Sequence, residues 1–271
     1  MIIAFICIVL IFNTMETISI HRPKIVVIGS CNTDMVVKAN RLPVPGETIL
    51  GGTFYMNPGG KGANQAIAAA RLGAEVTFIS KIGYDLFGLQ ALEIYRSEKI
   101  NTEYIFTDQK SPSGVALISV DSFGENSIIV APGASRSLSI EDINKAEEKI
   151  KEADIILMQL EIPIDTVEYA ATIACKYGKK VILNPAPASS LSNSFLMNVH
   201  TILPNRIEAE MLSGIKVMNI ESAHRAAQAI GEKGIENVVI TLGKDGAYVK
   251  EKDEYTMICL LYTSPSPRDT E

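Results

Sequence analysis

Short runs of apolar, largely β-branched residues recur along the chain, separated by longer stretches with helical spacing of apolar positions. Runs without polar alternation are typical of strands that are covered on both faces of a parallel sheet. They are residues 24–28, 76–80, 154–158, 181–183, 201–203 and 237–240. Helices are predicted at residues 61–72, 86–98, 140–152, 164–177 and 222–230. This alternation predicts an α/β fold, a doubly wound and mostly parallel sheet.

Two regions follow a different period. Residues 35–56 and 114–130 alternate apolar and polar positions between glycine-containing turns. A period of two predicts antiparallel strands with one face toward water. We therefore expect a small antiparallel β lid beside the main sheet, placed to shield a bound ligand from water.

The two ends of the chain do not continue these patterns, so we predict one domain over residues 24–258, incomplete at its C-terminus. Residues 1–12 are entirely apolar, but a membrane span needs about 20 such residues. A secretory signal is the alternative, yet its basic flank and small-residue cleavage site are absent. We interpret residues 1–23 as an extension outside the fold, with Met15 as an alternative start. Residues 259–271 are interpreted as an unrelated tail, with an ordinary disordered tail as the alternative.

Composition excludes several classes of protein. Lys and Arg total 25 against 31 Asp and Glu, which gives a formal net charge of −6. An acidic chain without basic runs is poorly suited to bind nucleic acid through its phosphates. The four cysteines are far apart, with no C-x-x-C pair, so neither a disulfide framework nor a structural zinc site is predicted. We expect no membrane partner and a cytoplasmic location, with the nucleus as a second one.

Polar residues and glycines follow five of the predicted strands. In open α/β sheets, ligands bind beyond the carboxyl ends of the strands. The segments are residues 29–34, 159–161, 184–187, 204–208 and 241–246. Any one of them alone is explained by a turn, but five at one edge of a sheet predict a binding site.

A glycine-rich segment, Gly-Gly-Lys-Gly-Ala-Asn-Gln at residues 59–65, opens the alanine-rich helix. Its glycines let a ligand approach the backbone, and the helix N-terminus offers free N–H donors. It matches neither the Walker A loop nor the dinucleotide-binding fingerprint. Lys61 and Asn64 supply donors, while Asp34 and Glu161 supply acceptors. That mixture suits a polyhydroxylated small molecule.

Eight motifs, in order, resemble the PfkB family of carbohydrate kinases. They are Gly29-Ser30-x-Asn32-x-Asp34, Pro43-x-Pro45-Gly46-Glu47-Thr48, Gly59-Gly60-Lys61-Gly62-Ala63-Asn64-Gln65-Ala66, Gly114-Val115-Ala116, Gln159-Leu160-Glu161, Asn184-Pro185-Ala186-Pro187, Asn205-x-x-Glu208 and Thr241-Leu242-Gly243-x-x-Gly246. The resemblance covers residues 24–250. Its lysine-containing glycine box is closer to the ribose-phosphorylating members than to the fructose or adenosine kinases.

The resemblance implies ATP-dependent phosphorylation of D-ribose at its 5-hydroxyl, giving ribose 5-phosphate. The sugar would contact Asn32, Thr33, Asp34, Gly60, Lys61, Gly62, Ala63, Asn64 and Glu161. ATP would lie along Asn205, Thr241, Leu242, Gly243, Lys244, Asp245 and Gly246. Glu208 would hold Mg²⁺ through water, because this ion keeps several waters and borrows phosphate oxygens. The resemblance also implies a homodimer formed through the lid and a monovalent cation (K⁺) site.

One element of the family pattern has no match. The family's catalytic base is an aspartate in a glycine-rich box at the start of a later helix, whose N-terminus stabilises the transferring phosphoryl group. No such box occurs in the sequence, and the K⁺ site and much of the adenine pocket are expected to be missing with it. A general base typically contributes about 10²–10⁴-fold to the rate. We therefore expect the chain to be inactive.

Three alternatives stay open on the sequence. In the first, the chain is a kinase whose substrate is deoxyribose or another pentose. In the second, the chain is a non-catalytic sugar-binding fragment. In the third, it is an α/β domain whose strand-end residues only form turns.

Overall fold

A computed structural model of the protein describes residues 22–259; our predictions for residues 1–21 and 260–271 lie outside these residues. The strands are β1 (Lys24–Ile28), β2 (Asn32–Lys38), β3 (Thr53–Gly59), β4 (Glu75–Gly83), β5 (Ile105–Asp108), β6 (Gly114–Val120), β7 (Asn126–Ala131), β8 (Ile155–Met158), β9 (Lys180–Leu183), β10 (Thr201–Ile202), β11 (Asn237–Thr241), β12 (Ala247–Glu251) and β13 (Glu254–Ile258). The helices are α1 (Lys61–Arg71), α2 (Leu86–Ser97), α3 (Ile140–Lys145), α4 (Glu147–Glu152), α5 (Ile164–Lys176), α6 (Asn193–Leu196), α7 (Arg206–Ser213) and α8 (Ile220–Gly231).

The main sheet has nine strands in the order β13-β12-β11-β10-β9-β8-β1-β4-β5. Strands β5 through β11 of this order pair in parallel, and β12 and β13 add an antiparallel hairpin at one edge. From β1 the chain builds outward to β4 and β5 on one side, and later to β8 through β11 on the other. This confirms the predicted doubly wound fold. The strand order reverses beside β1 and β8, where such folds bind ligands.

Strand β1 shows how the sheet separates two hydrophobic clusters. Val26 and Ile28 pack into one buried cluster, whereas Ile25 and Val27 pack into the other. This follows from the alternation of side chains along a strand. Helices α3 through α8 contribute to the first cluster, and α1 and α2 contribute to the second. Both faces of the sheet are therefore covered, as the unbroken apolar runs predict.

The second sheet is the predicted lid, with strand order β3-β2-β6-β7. The pairs β2–β3 and β6–β7 are antiparallel hairpins, as expected, but the central pair β2–β6 is parallel. The physical reason is that β2 and β6 both start at the root of the lid, where Asn32 lies opposite Gly114. Two strands that leave the same place in the same direction can pair only in parallel.

Some elements differ from the predicted ones. The helix predicted over residues 140–152 is interrupted at Ala146, which ends α3 and begins α4 with φ −101° and ψ 5°. The strand predicted at residues 76–80 extends over Glu75–Gly83. The pattern does not predict β5, β12, β13 or the short helices α6 and α7. Within residues 22–259, no helix has the length and apolar character needed to cross a bilayer.

Candidate active site

The carboxyl ends of β1 and β8 bring Ser30 and Glu161 together where the strand order reverses. These residues are 131 positions apart, yet the Ser30 hydroxyl donates a hydrogen bond to Glu161 Oε2 at 2.5 Å. Ser30 is 1% exposed. Two of the predicted strand-end segments therefore form a direct contact at one rim of the sheet.

Glu161 also accepts two hydrogen bonds from Lys61, the first residue of α1. The Lys61 backbone N–H donates to Oε2 at 3.0 Å, and its ammonium forms an ion pair with Oε1. Burial alone would raise the pKa of Glu161, but the Lys61 charge and the hydrogen bonds from Lys61 and Ser30 hold this pKa below its ordinary value. Glu161 is therefore an ionised acceptor held beside a cation.

Two polar side chains of the lid face the same way. Asn32 and Asp34 share one face of β2 because side chains alternate along a strand. A β-carbon at Gly114 would overlap the Asn32 side chain, and one at Gly59 would overlap the Asp34 carboxylate. Glycine is therefore needed at both positions. Asn32 Oδ1 is buried without a hydrogen-bond partner in the described residues, so it is an acceptor that a ligand hydroxyl can satisfy.

The carboxylate of Asp34 interacts electrostatically with the groups at the rim of the main sheet. Burial raises the pKa of Asp34, the nearby Glu161 charge raises it further, and the Lys61 ammonium opposes both. Asp34, Lys61 and Glu161 thus form one charged group, which we call the rim triad. Thr33 alternates to the other face of β2, so its side chain does not join them.

The glycine-rich segment packs tightly against the end of β1. Gly60 has φ +89°, a conformation that favours glycine, and it turns the chain from β3 into α1. A β-carbon at Gly62 would lie 2.7 Å from Ser30 O, and Ala63 N donates to the same oxygen at 2.9 Å. Asn64 is exposed in the first turn of α1. The segment therefore places Lys61 beside Glu161 by close backbone contact.

Sequence reasoning missed a buried pair beneath the rim triad. The Gln159 side-chain amide donates to Gln65 Oε1, which links the end of β8 to α1. Gln159 Oε1 has no partner in the described residues and lies where a β-carbon at Gly29 would be. Both glutamines belong to motifs named above, but nothing in the sequence indicates that they pair, because they are 94 positions apart.

Asn205 and Glu208 begin helix α7 as a reciprocal capping box. Asn205 Oδ1 accepts from Glu208 N at 2.9 Å, and Glu208 Oε2 accepts from Asn205 N at 2.8 Å. Burial raises the pKa of Glu208, against the lowering effects of the Asn205 N–H and the Lys61 charge. The N-x-x-E motif thus has a clear structural role in addition to any metal role.

The chemistry of this donor set fits Mg²⁺ only in an indirect way. No group of three His, Cys, Asp or Glu side chains in residues 22–259 is arranged to hold a metal. Glu208 already accepts from Asn205 N and, through Oε1, from Asn205 Nδ2 at 2.9 Å. Each carboxylate oxygen still has a free lone pair for a metal-bound water. A hydrated Mg²⁺ that borrows phosphate oxygens is compatible with such a site.

The predicted nucleotide segment forms a turn directly after β11. Thr241 N donates to Pro204 O at 2.9 Å, and Gly243–Asp245 form a single 3₁₀ turn. Gly246 has φ +97°, and its carbonyl accepts from Leu242 N at 2.8 Å. The turn therefore lies beside the start of α7, and the two predicted ATP-binding segments are neighbours.

Arg206 ties these two segments together, which sequence reasoning also missed. Its Nη2 donates to Asp245 Oδ2 at 2.8 Å and to Leu242 O at 3.3 Å. Its Nη1 donates to Val217 O at 3.3 Å. Arg206 therefore holds the 3₁₀ turn against α7.

Asn184 has a supporting role at the same rim. Its Nδ2 donates to Leu203 O at 3.0 Å, which ties the end of β9 to the segment after β10. Its own N–H donates to Met158 O at 2.9 Å. The segment 184–187 therefore holds neighbouring strand ends together.

Comparison with known proteins identifies the family. The model of the pfkB family carbohydrate kinases matches residues 22–259, and the chain belongs to this family. Ribokinase of Haemophilus influenzae is 45% identical over 237 residues, which cover 88% of this chain and 78% of that protein. Deoxyribokinase of Salmonella typhi is 38% identical over 231 residues, 85% of this chain and 76% of that protein.

A solved structure agrees with these sequence matches. The structure of Arabidopsis thaliana ribokinase complexed with ribose and ATP superposes with a TM-score of 0.78 at 30% sequence identity. The match covers 89% of this chain and 79% of that chain. The chain is thus a sugar kinase of the ribokinase type in sequence and in fold.

Proposed function

We propose that this protein is an ATP-dependent kinase that phosphorylates D-ribose at its 5-hydroxyl to give ribose 5-phosphate. The observation that carries the proposal is the rim triad, because three separate elements bring a cation and two carboxylates to one edge of the sheet. The relatives named ribokinase support ribose as the sugar. Hydroxyl groups both donate and accept, which matches this mixed set of partners.

In the proposed sugar site, each group has one role. Asp34, Glu161 and Asn32 Oδ1 accept hydrogen bonds from sugar hydroxyls, while Lys61 and Asn64 donate. The backbones of Thr33, Gly60, Gly62 and Ala63 form the walls. Buried polar groups that lose a partner make a site reject sugars without the matching hydroxyl.

In the proposed nucleotide site, ATP lies along the turn after β11. The turn supplies Thr241, Leu242, Gly243, Lys244, Asp245 and Gly246. Asn205 and the N-terminus of α7 lie next to it, and a helix N-terminus favours phosphate groups. Mg²⁺, held by Glu208 through water, would neutralise charge on the transferring phosphoryl group. K⁺ dependence is expected of the family, but its site is expected to be missing from this chain.

The transfer requires a group that we do not assign in this chain. The 5-hydroxyl oxygen forms a bond to the γ-phosphorus while the bond from that phosphorus to the bridging oxygen breaks, and ADP leaves. The hydroxyl proton needs an acceptor. Asp245 is held by Arg206, and we place Asp34 in the sugar-binding set. We therefore propose that the 271-residue chain binds ribose without turning it over.

Calorimetric titration with D-ribose tests the sugar site without requiring turnover. We expect the unaltered chain to bind ribose and Asp34→Asn to bind it at least tenfold more weakly, since a hydrogen bond to a charged group is worth about 1.5–3 kcal/mol. Asp253→Asn is the matched control, because Asp253 is exposed in the β12–β13 turn. A chain that binds no ribose contradicts the proposal. Ribose-dependent ADP formation would contradict the expected inactivity.

Deoxyribose is the second candidate substrate, because the deoxyribokinase of Salmonella typhi is 38% identical to this chain. The two sugars differ by the 2-hydroxyl alone. Parallel titrations with D-ribose and 2-deoxy-D-ribose distinguish them. Tighter binding of deoxyribose would replace ribose in the proposal and leave the site unchanged.

We also propose a homodimer formed through the lid. One face of the lid exposes Val37, Phe54, Met56, Leu117 and Ile129. A contiguous apolar face of this kind marks an interaction surface. Sedimentation should show a dimer that Leu117→Lys dissociates; a monomer at all concentrations would contradict it.

Because both substrates are soluble metabolites, we place the protein in the cytoplasm.

A further inference from the structure

We infer that Ser30 is a positioning residue of the sugar site, which fixes the Glu161 carboxylate so that Oε1 is the oxygen offered to the sugar. This inference rests on the proposed ribose site. Ser30 belongs to none of the groups assigned to the substrate above. In the described residues, the Ser30 hydroxyl has one side-chain partner, Glu161.

The two oxygens of Glu161 have different surroundings. Oε2 accepts from the Ser30 hydroxyl at 2.5 Å and from Lys61 N at 3.0 Å. Both lone pairs of Oε2 are therefore used by donors from the protein. Oε1 is paired with the Lys61 ammonium, on a side chain that is 39% exposed. Of the two oxygens, Oε1 is the one that has a lone pair left for a ligand.

The donors to Oε2 are rigid, whereas the partner of Oε1 can move. Ser30 is buried, and its carbonyl accepts from Ala63 N at 2.9 Å, so both ends of this residue are held. Lys61 N belongs to the first turn of α1. The Lys61 ammonium, in contrast, lies on a flexible four-carbon stem. A sugar hydroxyl can therefore join Oε1 beside the ammonium while Ser30 keeps the carboxylate plane fixed.

Loss of the Ser30 hydroxyl should weaken ribose binding and also raise the pKa of Glu161. A loss of packing alone would not produce both effects. The carboxylate would be free to rotate, so ribose affinity should fall by roughly tenfold to a hundredfold, as for other hydrogen bonds to charged groups. The Ser30 hydroxyl also lowers the pKa of Glu161, so this pKa should rise without it. The charged groups that face Glu161 in the described residues are Lys61 from α1 and Asp34 from β2, and both stay in place.

The experiment compares the unaltered chain with Ser30→Ala and Ser80→Ala. Ser80 is the matched control because it is equally buried and donates to Gly29 O at 2.7 Å, next to Ser30, without touching Glu161. Ribose affinity is measured by calorimetry. The titration of Glu161 is followed in the ligand-free proteins by ¹³C NMR of labelled glutamate carboxyls, with the signal assigned by its absence in Glu161→Gln. Ser30→Cys, whose side chain is slightly larger and whose thiol is a weaker donor, replaces Ser30→Ala if the latter does not fold.

We expect weaker ribose binding and a raised Glu161 titration midpoint in Ser30→Ala, and neither change in Ser80→Ala. An unchanged midpoint in Ser30→Ala would overturn the inference, even with weaker binding, because it would show a packing effect. Equal losses of affinity in both variants would overturn it as well. If the unaltered chain binds no ribose, the proposed function fails, and the NMR titration still decides whether Ser30 holds Glu161.

Discussion

Arg206 and Asp245 form an ion pair across the two segments of the proposed nucleotide site, with 2.8 Å between Nη2 and Oδ2. The arginine begins α7 and the aspartate ends the 3₁₀ turn after β11, 39 positions later. The pair is partly exposed, with side-chain exposures of 33% and 55%. It lies between the two segments of the proposed nucleotide site.

Arg206→Gln should weaken nucleotide binding and leave ribose binding unchanged. An exposed ion pair contributes about 0.2–1 kcal/mol, so the expected loss of affinity for Mg-ADP is a few-fold. The measurement is fluorescence titration with a labelled ADP, beside calorimetry with ribose. Arg225→Gln, an exposed arginine on α8, is the control. Equal loss of both ligands in Arg206→Gln would show a global effect instead.

Asn205→Ala should reduce both stability and nucleotide affinity. Loss of an N-cap side chain typically costs about 0.5–2 kcal/mol of folding free energy, measured here by urea unfolding. Asn219→Ala removes an equivalent capping box at the start of α8 and should cost about as much stability. Only Asn205→Ala should also weaken Mg-ADP binding. If both variants weaken it alike, the effect of Asn205 comes from the helix alone.

Gly59→Ala should abolish ribose binding because the added β-carbon would overlap the Asp34 carboxylate. Overpacking of this kind costs about 1–3 kcal/mol, and the displaced carboxylate would leave the rim triad. Gly231→Ala is the control, since the added β-carbon meets only the flexible end of the Lys250 side chain. Ribose calorimetry and thermal unfolding measure the two effects. Full ribose affinity in Gly59→Ala would show that Asp34 does not need its observed position.

Ribose affinity should fall as the pH is lowered, beginning above the range in which an ordinary aspartate titrates. Ionised Asp34 offers acceptors alone and makes the stronger, charge-assisted hydrogen bonds, and burial beside Glu161 raises its pKa. Protonation therefore occurs at a higher pH than in a free aspartate, and it removes the charge and turns one acceptor oxygen into a donor. Glu161, with a lowered pKa, should contribute only at more acidic pH. Calorimetry across pH measures this.

Asp34→Asn should weaken binding and remove the upper part of this pH dependence. The aspartate charge is then absent, so Glu161 is the carboxylate of the rim triad that remains to titrate. An unchanged pH profile in this variant would assign the dependence to another group.

The sequence predicts the elements whose residues repeat one simple pattern. Strands β1, β8 and β9 are buried on both faces. Their side chains are therefore apolar on both faces, and the resulting unbroken apolar run is visible in the sequence. The strands β5 and β13 carry polar and exposed residues at a sheet edge. β5 pairs with a strand 25 positions earlier, and β13 joins β12 in a hairpin, but neither strand has the unbroken apolar run that marks the buried strands.

The site shows the same division between local and long-range information. Asp34, Lys61 and Glu161 are recognisable because each follows or begins a predicted element at the carboxyl edge of the sheet. The contacts of Ser30 with Glu161, of Gln65 with Gln159 and of Arg206 with Asp245 are different. In each, a residue that is ordinary in its own segment acquires its role from a partner that the fold brings to it.

Because β2 and β6 pair in parallel from a shared root, insertions and deletions should have different effects at the root of the lid and at its hairpin tips. At its root, Asn32 is fixed opposite both Gly59 and Gly114. A single residue inserted between Asn32 and Asp34 would turn the aspartate to the far side of the lid. At the hairpin tips, residues 39–52 and 121–125 can lengthen or shorten without moving either side chain. We therefore expect related chains to vary in length at the tips and to keep the spacing at the root.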